Sequence, residues 1–133
     1  MSKWFIVAAF LCAGLATACG GDDGSGVSGS KSLVSLNDGE VTDLCEFLVD
    51  VGGPERMVDC GGGLTITVGG QTVAECTTGL KASQGQFPNC TATVSNAEAC
   101  AKAIADLSDQ QLCSDGPPPA ACQPLFTAAC GGL

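Results

Sequence analysis

The chain has 133 residues, of which ten are cysteine and none is histidine or tyrosine, and 14 Asp and Glu stand against 5 Lys and Arg. Without histidine there is no imidazole base, no Ser-His or Cys-His nucleophile pair and no histidine metal ligand. The formal charge of -9 repels phosphate, which excludes nucleic acid as an expected partner.

The apolar residues are concentrated at the start of the chain. Met1-Ser2-Lys3 is a short positive start, Trp4 to Leu15 is an apolar run and Ala16-Thr17-Ala18 is a small-residue exit, the pattern of an export signal over residues 1–18. The run is too short for a permanent membrane span. Its removal leaves 14 acids and 4 bases, a formal charge of 4 minus 14, or -10.

Leu15-Ala16-Thr17-Ala18-Cys19 resembles a bacterial lipobox, with Ala16 where the usual leucine would stand. In such a signal the cysteine, here Cys19, is lipidated and becomes the new N-terminus. The other reading of the same bond is ordinary secretion after Ala16-x-Ala18, which would leave Cys19 as a thiol. Cysteine parity favours lipid: after cleavage nine cysteines remain, and an odd thiol is a liability in an oxidising compartment. Residues 19–37 are rich in Gly, Ser and Asp and read as a flexible tether.

The remaining eight cysteines, Cys45, Cys60, Cys76, Cys90, Cys100, Cys113, Cys122 and Cys130, are 8 to 16 positions apart, with no Cys-x-x-Cys among them. That spacing argues against a thioredoxin-like site, a zinc ribbon, a haem attachment or an iron-sulfur run. They are expected to form four structural disulfides, with 105 pairings open. No metal or cofactor is expected.

Within residues 38–133, Val41, Leu44, Cys45, Leu48 and Val49 recur at helical spacing, which predicts a helix over about 40–51. Asp43, Glu46 and Asp50 fall on its opposite side, a solvated face. Leu64 to Val68 alternates between two glycine runs and reads as a strand in a hairpin, paired with either 56–60 or 71–73. A second helix starts at Thr72 and is expected to end at Ser83-Gln84-Gly85. Ser95-Asn96-Ala97-Glu98 reads as a capping box ahead of a third helix lined by Cys100, Ala103, Ile104 and Leu107. Beyond the stiff 115–119 segment, Cys122, Leu125, Phe126, Ala129 and Cys130 predict a last helix ended by Gly131 and Gly132. The fold class is mainly α, three to four short helices with a small β-hairpin, in one disulfide-rich domain.

Cys19-Gly20-Gly21-Asp22-Asp23-Gly24, Thr91 to Val94 ahead of Glu98-Ala99-Cys100, and Pro119 to Phe126 resemble the small cysteine-rich lipoproteins of myxobacterial-type genomes. The resemblance implies an exported, lipid-anchored, disulfide-linked domain and no catalytic residue. The expected role is non-enzymatic, structural or binding, in the bacterial cell envelope at the outer membrane, with a protein or glycan partner. The glycine loops 61–63 and 69–70 and the proline loop 117–119 are the expected contact points. Two other roles fit the composition: a small extracytoplasmic hydrolase using paired carboxylates, or a protease inhibitor offering loop 84–89 as bait.

Overall fold

The computed structural model describes residues 24–132. The expected signal segment and Cys19 lie outside the described residues. The architecture is mainly helical, with one two-stranded antiparallel hairpin and four disulfides.

Helix α1 spans Asp38–Gly52. Asn37 caps it, its side chain accepting the Glu40 N–H while the Glu40 carboxylate accepts the Asn37 N–H. Val41, Leu44 and Cys45 are fully buried on one face, while Asp43, Glu46 and Asp50 are exposed on the other. Gly53 ends the helix at φ +68, a conformation open to glycine, and donates its N–H to the Val49 and Asp50 carbonyls.

The same Glu40 carboxylate accepts both oxygens' worth of contact from Lys31 Nζ, at 2.6 Å each. The Lys31 hydrogen bonds, and then the Asn37 N–H, hold its pKa below the ordinary 4.5. Because the carboxyl is more acidic in the folded state than in the unfolded chain, its stabilising effect is complete above that ordinary value. It is lost as pH falls through the lower folded value. Thermal midpoints measured from neutral to acid pH should therefore fall more steeply for the parent than for Glu40→Gln, the two curves converging in acid.

Strands β1 (Arg56–Asp59) and β2 (Thr65–Val68) pair with Val58 opposite Ile66. Of the two partners open to the second strand, the earlier segment is the one used. Gly61, Gly62 and Gly63 all have positive φ at the hairpin tip, which explains why three glycines stand together. Gly69 and Gly70 are different: a Cβ at Gly69 would lie 2.5 Å from the Pro54 carbonyl oxygen, and Gly70 N–H donates to the Gly53 carbonyl at 3.0 Å. They let the hairpin lie directly against the end of α1 rather than forming a free loop.

Helix α2 spans Val73–Gln86 and is capped by a reciprocal Thr72–Glu75 box. It runs through the expected stop at Ser83-Gln84-Gly85. The Gln84 amide donates to the Leu33 and Leu36 carbonyls at 2.7 and 3.2 Å, a tertiary contact that holds the last turn helical.

Helix α3 spans Val94–Ala105, and its cap is Thr93 with Asn96, so the expected Ser95–Glu98 box is displaced by two residues. Ser95 is inside the helix, and Glu98 instead accepts the Ser25 N–H at 2.7 Å. Val94, Ala97 and Cys100 form the buried stripe, while Ile104, expected on it, is 42% exposed. A further turn, α4 (Asp109–Leu112), is closed by a Ser108–Gln111 box.

The expected last helix is instead two 3₁₀ segments, Ala120–Leu125 and Ala128–Cys130. Pro124 has no N–H for the bond that would continue an α-helix from Ala120. The tighter Cys122 N–H to Pro119 and Phe126 N–H to Gln123 bonds form around it.

The segment expected to be a tether is docked from Gly24 onward. Ser32 and Thr93 form an antiparallel bridge, Leu33 N–H donates to Ala92, and Val94 and Ser95 donate to Lys31 and Gly29. Leu33 and Leu36 are buried in the core with α1, Cys76, Cys90, Ala92 and Ala97. Among the described residues no helix is long and apolar enough to cross a membrane.

Candidate functional site

All eight cysteines expected to be structural are paired. Cys45–Cys76 joins α1 to α2 through the core, and Cys100–Cys122 joins α3 to the first 3₁₀ segment. Cys90–Cys130 fastens the chain after α2 to the last turn, and Cys60–Cys113 ties the hairpin to the end of α4. Cys45, Cys76, Cys100 and Cys122 are buried, and Cys130 is half-buried. Two cysteines eight positions apart, Cys122 and Cys130, thus reach different partners, Cys100 and Cys90.

A cleft of about 490 Å³ lies beside Cys100 of the Cys100–Cys122 bond. One wall is the end of α1, where Leu48 and Val51 project, continued by Gly52 and Gly53. The second is the close of the hairpin, with Val68, Gly69 and Gly70. The third is α3, whose Ala97, Ala101 and Ala105 recur every four residues and so lie in one row along the helix. The alanine row of α3 and the paired glycines of the hairpin leave space between bulkier lining residues such as Val51, Val68 and Ile104. Ile104, Leu112 and Leu125 border it with apolar surface.

Arg56 is the one charged side chain among the lining residues. Its guanidinium donates to Asp109 Oδ1 at 2.6 Å, with the two side chains 49% and 66% exposed. Such an exposed pair is worth about 0–1 kcal/mol, so the guanidinium can exchange partners at little cost. The Cys60–Cys113 bond follows β1 on one side and closes α4 on the other, joining the same two elements.

No family model, curated protein or solved structure matches this chain. The chemistry available therefore rests on the residues themselves. No acid lines the cleft, and among the described residues no group of three or more His, Cys, Asp or Glu is placed to hold a metal ion.

Of the expected contact points, the 61–63 tip is exposed, the 117–119 loop is largely exposed, and the 69–70 pair is part of the cleft wall. The proposed bait segment 84–89 begins inside α2, with Gln84 bound to the N-terminal segment, and so is not an extended loop. The cleft itself was not anticipated; the alanine row at 97, 101 and 105 beside the paired glycines was the signal for it.

Proposed function

We propose that this is an exported, lipid-anchored protein of the bacterial cell envelope, held at the outer membrane through Cys19, whose disulfide-clamped domain has a non-enzymatic binding role. The observation that carries the reading is the closure of the eight later cysteines upon one another, which leaves Cys19 with no partner among the described residues. The signal pattern over 1–18 and the lipobox-like Leu15 to Cys19 supply the route, and the resemblance to small cysteine-rich lipoproteins agrees with it. An acidic domain needs such an attachment, since its charge opposes electrostatic binding to anionic lipid.

The docking of the chain from Gly24 shortens the tether. Four residues lie between Cys19 and Gly24, five steps along the chain and a reach of at most about 18 Å, so the domain would stand close to the bilayer. The apolar lining of the cleft, with one arginine and no acid, supports binding rather than hydrolysis by paired carboxylates.

Expression of the parent and of Cys19→Ala in a lipoprotein-processing host tests the anchor. The parent is expected in the membrane fraction with covalently attached labelled palmitate, and the variant without label. A parent that fractionates as a soluble, unlabelled protein would overturn the proposal.

A further inference from the structure

We infer that the cleft binds a free fatty acid, its alkyl chain along the alanine row of α3 and its carboxylate at the Arg56 guanidinium. The inference rests on the binding role proposed above, though not on the lipid anchor. Three observations carry it. The volume, about 490 Å³, falls within the roughly 300–1,000 Å³ of small-molecule sites. From Ala97 to Ala105 the helical wall is about 12 Å long, close to the extended length of ten methylenes. Each methylene so buried raises affinity about fourfold.

The third observation is charge. Arg56 is the sole charged lining residue in a domain with only four bases, and its planar fork suits a carboxylate. Asp109, which does not line the cleft, pairs with it at 2.6 Å and shows that the guanidinium takes a carboxylate, one that a ligand carboxylate would have to displace. Glu55 lies against Gly70 on the hairpin side. A cationic amphiphile would meet Arg56 directly, and a neutral one would leave the guanidinium with Asp109 and gain only the apolar contact and a hydrogen bond from Gln71.

The test uses the full-length oxidised protein in neutral phosphatidylcholine vesicles and dodecanoate bearing a diazirine at its far end, at mildly alkaline pH. After irradiation, label is expected on the peptides carrying Leu48 to Gly53 and Ala97 to Ala105. Unlabelled dodecanoate should compete about tenfold better than dodecanol and better still than dodecyltrimethylammonium. Arg56→Gln should remove the advantage over dodecanol, while Asp109→Asn, which deletes the competing carboxylate, should strengthen dodecanoate binding several-fold. Equal competition by the alcohol or the cation, label spread over the chain, or no effect of Arg56→Gln would overturn the assignment. Competition by phosphatidylglycerol vesicles equal to that of dodecanoate would overturn the free acid in favour of a membrane lipid.

The Cys19 state of the same sample is read from its mass. Acylated protein without specific labelling refutes the ligand alone, and specific labelling of unacylated protein refutes the anchor alone.

Discussion

Replacing Cys45 and Cys76 together with alanine is expected to lower the unfolding free energy by about 4 kcal/mol. The bond closes a segment with a sequence separation of 31, for which restriction of the unfolded chain alone gives about 3.7 kcal/mol. Both residues are buried in the cluster formed by Leu33, Leu36, Val41, Leu44 and Val94, so the loss of two sulfur atoms adds a packing deficit. A small domain has about 5–15 kcal/mol of net stability, and this one bond therefore supplies a large share of it. Urea unfolding of the double variant, with the other three bonds intact, should show the midpoint falling by roughly a quarter to four fifths. An unchanged midpoint would mean that the helices pack well enough without the bond, contrary to a core this small.

Leu44→Ala is expected to cost about 3 kcal/mol, within the 2–5 kcal/mol range for truncating a buried leucine. Leu44 is fully buried on α1, among the largest side chains the domain encloses. Leu64, in contrast, is 60% exposed beside the hairpin tip, and Leu64→Ala should change stability by less than about 0.5 kcal/mol. Thermal unfolding of the two variants under oxidising conditions checks the contrast. Equal effects would contradict the placement of the core between α1, α2 and α3.

The elements most legible in the sequence were those whose pattern is local. The α1 face could be read because Val41, Leu44 and Cys45 alternate with Asp43 and Glu46 at helical spacing, and the residues on each side behave accordingly. The hairpin could be read from β-branched residues between glycines, though its partner strand depended on Gly69 and Gly70 packing against the end of α1. At the start of α3 both Ser95-x-x-Glu98 and Thr93-x-x-Asn96 offer a reciprocal cap. The docking of Ser25 on Glu98 and the Ser32–Thr93 bridge select the second.

Other features depend on contacts that no local pattern encodes. Leu33 and Leu36 stand in a Ser-rich stretch and looked like part of a tether, yet Gln84 and the Ala92 backbone fix them in the core. The short α4 carries a readable Ser108-x-x-Gln111 box but too few apolar residues for a periodic signal. The final helix failed at Pro124, where the apolar spacing suggested an α-helix that the missing N–H forbids. The cysteines were recognisable as a framework from compartment and spacing, but their pairing is a property of the tertiary fold. The cleft is the hardest feature to read, since part of its space is left by side chains that alanine and glycine lack.

On the proposed reading, the eight cysteines after residue 19 are all used in disulfides and Cys19 is used for attachment. Intact-mass measurement of the protein purified from its native source, followed by mapping of the disulfide-linked peptides, decides whether this holds. The expected result is a chain beginning at an acylated Cys19, short of eight hydrogens, with bonds 45–76, 60–113, 90–130 and 100–122. An unmodified Cys19, or a bond joining it to any of the eight, would contradict the account.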